Sequence, residues 1–191
     1  MTATDDLVDR NRTWSAAQAP SDLPIQPRLH VAIVTCMDSR LDLFDVLGLA
    51  PGEAHVLRNA GGVVTDDVVR SLAISQRKLG TREVVLVHHT DCGMQKITDD
   101  GFRAELQADS GVSPSFAIET FTDLEADVAQ SVRRVRRSPF LLFPDAVRGF
   151  VHDVATHELR EVVVPGRGDR RERDLDRERQ RALSPVRLAV S

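Results

Sequence analysis

Apolar residues fall along this chain in short, dense runs. His30–Thr35 (HVAIVT), Ala54–Leu57 (AHVL) and Glu83–His88 (EVVLVH) are the clearest, and the third holds four apolar residues in a row. Runs of this kind predict strands covered on both faces, as in a parallel sheet, because a half-exposed strand alternates with a period of two. Phe150–Val154 and Glu161–Val164 predict two more strands near an edge. Helical patterns lie between them. Thr65 can cap a helix with Asp66 and Asp67 in its first turn, Val68, Leu72 and Leu79 on one face, Arg77 and Lys78 in its last turn, and Gly80 as its stop. Cap and charges all agree with the helix dipole. A second helix is expected from Thr122, with Glu125 as capping-box partner, an apolar stripe through Leu124, Val128, Val132 and Val135, and Pro139 past its end. This alternation predicts an α/β fold: a mainly parallel central sheet of about four strands, flanked by helices, with right-handed crossovers and an extra edge strand.

Composition narrows the picture. A chain of 191 residues suits one domain, and 41% hydrophobic with 28% charged residues excludes a wholly disordered chain. Tyrosine is absent, so the core must rest on Val, Leu, Ile and Ala. The net charge of −4 argues against a nucleic-acid partner held by bulk charge. Arg133, Arg134, Arg136 and Arg137 instead sit at a predicted helix C-terminus, where cations favour the dipole. No run approaches the roughly 20 apolar residues of a membrane span. The opening MTATDDLVDRNRTW has neither the basic start nor the apolar stretch of a signal peptide, so a cytoplasmic location is expected. At Pro165 the character changes. Residues 1–164 read as a single domain of charge −7, and 165–191 as an Arg-rich, mobile tail of charge +3. The tail is either a solvated extension or a basic interaction segment.

The candidate chemistry sits where predicted strands end. Cys36-Met37-Asp38-Ser39-Arg40 follows the first strand, and His88-His89-Thr90-Asp91-Cys92-Gly93-Met94 follows the third. Ligands of open α/β sheets bind at that carboxyl edge. If the two strands are neighbours, Cys36, one histidine and Cys92 supply two thiolates and one imidazole, a set of three protein ligands typical of catalytic zinc. His88 and His89 point to opposite faces of an extended segment, and the His-x2-Cys spacing favours His89. The same residues also fit plain core packing, or a Cys36–Cys92 disulfide. Asp38 and Arg40, at alternate positions, can pair so that a forked contact keeps the carboxylate ionised beside the metal. An ordinary surface ion pair is the other reading. Arg58-Asn59-Ala60-Gly61-Gly62 follows the second strand and is either a plain turn or a close-approach loop for an anion. His55, His88, His152 and His157 titrate in a useful range without any being marked as a proton carrier.

Taken in order, Cys-Met-Asp-x-Arg, Arg-Asn-Ala-Gly, Thr-Asp-Asp and His-His-Thr-Asp-Cys-Gly-Met closely resemble the short bacterial and archaeal branch of the β-class carbonic anhydrases, from about Arg28 to Val164. The resemblance implies zinc, one per chain, on Cys36, His89 and Cys92, and a catalytic dyad of Asp38 and Arg40. It implies reversible hydration of carbon dioxide to bicarbonate and a proton by zinc-bound hydroxide. It also implies a homodimer or a dimer of dimers. Gly61, Gly62 and Val63 are the expected substrate-binding residues, with Val64 beside them. Two departures stand out. Pro27 occupies the place where plant-type members hold substrate with Gln, and Ile33 with Arg58 but no Tyr replaces the Trp, Arg, Tyr trio of bicarbonate-inhibited members. Hydrolysis of carbonyl sulfide or carbon disulfide, or a non-catalytic zinc protein, are the alternative functions.

Overall fold

The computed structural model describes residues 2–166; Met1 and residues 167–191, nearly all of the expected tail, lie outside the described residues. The elements run in the order α1 (Ala3–Ala16), β1 (Val31–Cys36), α2 (Leu43–Leu47), β2 (Ala54–Asn59), α3 (Asp66–Lys78), β3 (Glu83–His89), α4 (Asp99–Ser110), α5 (Leu124–Arg137), β4 (Val147–His152) and β5 (Leu159–Val162). One sheet holds all five strands in the order β2-β1-β3-β4-β5. The first four pair in parallel and β5 closes the edge antiparallel to β4, the architecture expected from the sequence.

Both sheet faces are covered, which explains the unbroken apolar runs. On one face Ala32, Val34, Val84 and Leu86 meet Val68 and Leu72 of α3 and Val132 and Val135 of α5. On the other, Ile33 and Val87 meet Leu43 of α2. Burying each such Val or Leu side chain contributes about 1.5–3 kcal/mol. Helix α3 is capped by Thr65, as expected. Helix α5 begins one residue later than its sequence signal: Asp123, not Thr122, is the cap, its carboxylate accepting from Ala126 N–H at 3.0 Å. Glu125 makes no capping box and pairs with Arg160 instead.

Strand β4 starts three residues before the apolar run that betrays it. Gly149 hides its buried face: a Cβ there would lie 2.4 Å from Val128 Cγ1 and 2.9 Å from Val132 Cγ2, so α5 rides directly on the strand backbone. Helix α1 left no apolar signature because it buries nothing; Leu7 and Trp14 are both 62% exposed. Among the described residues, a Thr2–Asp5 capping box and local ion pairs such as Asp6–Arg10 support it. An isolated helix of about 12–15 residues is marginal in water.

Gly149→Ala should lower stability by about 1–3 kcal/mol through overpacking against α5. Urea denaturation reads this directly, and an unchanged midpoint would mean that α5 yields to the methyl group at no cost.

Candidate metal centre

Strands β1 and β3 are adjacent and parallel, with Thr35 opposite Val87 in register. Cys36 therefore ends its strand beside the His88–His89 end of β3. A turn follows in which Asp91 takes φ 53° and returns the chain so that Cys92 faces Cys36. Aspartate tolerates this left-handed conformation better than most residues. Cys36, His89 and Cys92 are all buried, and their ligand atoms lie within 4.8 Å of one another.

The two sulfurs stand 3.9 Å apart and both cysteines are free, so the disulfide reading does not hold. A disulfide requires about 2.05 Å. Two sulfurs on one tetrahedral zinc, with Zn–S near 2.3 Å, sit about 3.8 Å apart. His89 adds a second sign of fit. Its Nδ1–H donates to the Thr90 carbonyl at 2.8 Å, which leaves Nε2 as a bare lone pair. That buried Nε2 has no hydrogen-bond partner. Holding a histidine by its other nitrogen is the usual way to fix the tautomer that binds metal.

Charge at the cluster is tuned by its surroundings. Cys36 is pulled down to about 4, chiefly by the Cys92 thiol, with His89 and the backbone N–H groups of Asp38 and Gly61 also favouring the thiolate against the cost of burial. Cys92 moves the other way, because it shares its proton with Cys36 and is itself buried. Burial disfavours a charged His89, but the neighbouring Cys36 thiolate and the Thr90 carbonyl outweigh it and raise its pKa.

Asp38 and Arg40 form the expected pair. Arg40 Nε donates to Asp38 Oδ1 at 3.0 Å and Nη2 to Oδ2 at 2.8 Å, while the Arg40 backbone N–H adds a third bond at 2.9 Å. These contacts hold the Asp38 carboxyl well below the usual carboxylate range. Asp38 Oδ2 lies 3.8 Å from His89 Nε2, beside the three candidate ligand atoms.

The glycine loop meets the same cluster from below. Gly62, at φ 71°, packs on the end of β1, where a Cβ would lie 2.8 Å from the Cys36 nitrogen. No other residue fits that approach. Val63 packs with Cys36, Cys92 and Phe121, flanked by Met94 and Leu124. Val64 points elsewhere, into the main core.

Several residues that the sequence singled out without a defined role now have places. Arg58 donates from Nε to the Cys36 carbonyl at 2.9 Å and from Nη2 to the Asp38 carbonyl at 2.7 Å, tying β2 to the first ligand loop. Its place at a strand end, opening Arg58-Asn59-Ala60-Gly61, was the signal in the sequence. His88 is fully buried on the opposite face from His89, with Nε2 3.1 Å from the Gly62 carbonyl and Nδ1 3.1 Å from Asp127 Oδ2 on α5. His152 lies opposite His89 in register, and burial, then His157 and His89, lower its pKa. His55 is remote, bonded to Ser75 on α3 at 2.8 Å.

A family model described as carbonic anhydrase matches residues 31–139. The chain is 53% identical over 162 residues to Beta-carbonic anhydrase 1 of Mycobacterium tuberculosis, covering 85% of this chain and 99% of that protein. It is 34% identical to a carbon disulfide hydrolase of Saccharolobus solfataricus, over 82% of this chain and 87% of that one. The crystal structure of a carbonic anhydrase from Streptococcus mutans superposes with a TM-score of 0.80 at 43% identity, covering 85% of this chain and 99% of that chain. With the sheet order, the Cys-His-Cys cluster and these likenesses in agreement, the chain belongs to the β-carbonic anhydrase family.

Proposed function

We propose that Cys36, His89 and Cys92 hold the zinc with which this carbonic anhydrase hydrates carbon dioxide, and that Asp38 and Arg40 work beside it. The observation that carries this reading is the convergence of two sulfurs and one unpartnered, tautomer-fixed imidazole nitrogen within 4.8 Å. When bound, zinc lowers the pKa of a water in its fourth position from 15.7 to about 7 and so supplies a nucleophile near neutral pH.

The chain's own residues do the rest. Asp38, ionised and held by Arg40, accepts a hydrogen bond from the attacking water and fixes its direction. Arg40 keeps the carboxylate turned toward the ligands. Arg58 holds the backbone of both Cys36 and Asp38, so ligand and carboxylate move as one unit. Val63, with Phe121 and Met94, offers an apolar wall beside the sulfurs, and Gly61 and Gly62 let it come that close. Such a wall suits a small, uncharged substrate such as carbon dioxide.

The catalytic unit we assign to residues 1–164, with 165–191 appended. The Mycobacterium relative supports this, since 162 aligned residues cover nearly all of it. A homodimer is supported by α1, whose apolar Leu7, Val8 and Trp14 find no cover within the described residues. Among these residues no helix is long and apolar enough to cross a membrane. Thiol ligands favour a reducing compartment, which supports the cytoplasm.

Asp38→Ala should keep about one zinc per chain and lose about 10–100-fold in turnover, as for removal of a group that orients a metal's ligands. Stopped-flow hydration with zinc analysis on the same sample decides it, and unchanged turnover would remove Asp38 from the mechanism. Zinc uptake should be steeply pH-dependent. Cys36 enters already ionised, whereas Cys92 and the raised His89 must each release a proton. Between pH 6 and about 4, where Cys36 itself begins to take up a proton, the apparent affinity should therefore fall by about two decades per pH unit. Chelator competition across pH measures this slope; one decade per unit would mean that only one proton leaves. Deleting residues 2–17 should shift the protein from dimer to monomer in analytical ultracentrifugation, and an unshifted dimer would place the interface elsewhere.

A further inference from the structure

Arg40 does more than pair with Asp38. Its guanidinium reaches across to the second ligand loop, where Nη1 donates to Asp91 Oδ2 at 2.8 Å and Nη2 to the Asp91 backbone carbonyl at 3.0 Å. We infer that Asp91 is a positioning residue for the hydration reaction, locking Arg40, and through it the Asp38 carboxylate, across the two loops that carry the metal ligands. The inference rests on the reading that Asp38 and Arg40 act in catalysis.

The geometry argues for a lock and not an incidental pair. The Arg40 side chain is 48% exposed, and an exposed arginine with one carboxylate gains little net energy from the contact. Holding it still costs rotamer entropy. Here one edge of the guanidinium is forked on Asp38 and the other on Asp91, which fixes the plane of the group as well as its distance. Asp91 has a second partner that leaves this contact free: Lys96 Nζ sits 2.6 Å from its Oδ1, and Oδ2 faces Arg40. The turn at Asp91 is the one that brings Cys92 back to Cys36, so the lock is anchored on the metal ligands' own backbone. With Asp91 gone, Arg40 can swing outward into water, and Asp38 loses the restraint that sets its direction.

The test uses the zinc-loaded full-length protein and the variants Asp91→Asn, Asp91→Gly, Arg40→Ala and Asp91→Gly with Arg40→Ala. Asparagine and glycine both accept the left-handed backbone at this position, so the turn survives. Three quantities are read: zinc content, kcat and KM for carbon dioxide hydration, and solvent exchange of the Arg40 Nε–H in NMR spectra. Both Asp91 variants should keep wild-type zinc and lose about ten-fold in kcat with little change in KM. Their Arg40 Nε–H should exchange several-fold faster. In the Arg40→Ala background, Asp91→Gly should cost nothing further. Unchanged exchange, an additive loss in the double variant, or zinc lost together with activity would overturn the inference. Should Arg40→Ala alone leave kcat unchanged, the role of the dyad fails, and the exchange rate still decides whether Asp91 holds Arg40.

Discussion

Everything at this site depends on the parallel pairing of β1 with β3. That register sets Thr35 opposite Val87, so the two strands end side by side and release their loops at one edge. Residues 56 positions apart in sequence, Cys36 and Cys92, thereby come to 3.9 Å. An antiparallel pairing would put these loops at opposite ends of the sheet. The paired strands are long apolar stretches buried on both faces, and helices α3 and α5 on one side and α2 on the other hold them in place.

Around the cluster, the chain spends its polar groups on holding the loops and keeps its apolar groups for the wall. Arg58 binds two backbone carbonyls, Thr90 fixes one imidazole tautomer, and Arg40 spans both ligand loops. His88 links the glycine turn toward α5 without facing the metal side. This division leaves His89 Nε2, buried and without a hydrogen-bond partner, turned to the two sulfurs. The tilt of charge follows: Cys36 is readied as a thiolate and Asp38 is held ionised, each by hydrogen bonds from close neighbours.

The relation to the carbon disulfide hydrolases shows where specificity must arise. Fold and chain order extend to that relative at 34% identity, so the shared scaffold does not choose the substrate. The stronger likeness, at 53% identity over nearly a whole relative, lies on the carbonic anhydrase side. Within this chain, Val63, Phe121 and Met94 are apolar side chains packed against the two sulfurs.

By itself the sequence determined the elements whose cause is local or periodic. The runs at 30–35, 54–57 and 83–88, the cap at Thr65, and the spacing of Cys36, Asp38, Arg40, His89 and Cys92 could all be read directly, because burial on both faces and strand-end chemistry leave marks in adjacent residues. Helix α1 could not be read, since it buries no face, and β4 was displaced because Gly149 owes its burial to a helix. Only the tertiary structure decided that the sulfurs are spaced for a metal and not bonded to each other. It alone brought Arg58 onto the ligand loop and Asp91 onto Arg40, for contacts between distant segments are set by packing and leave no period in the chain.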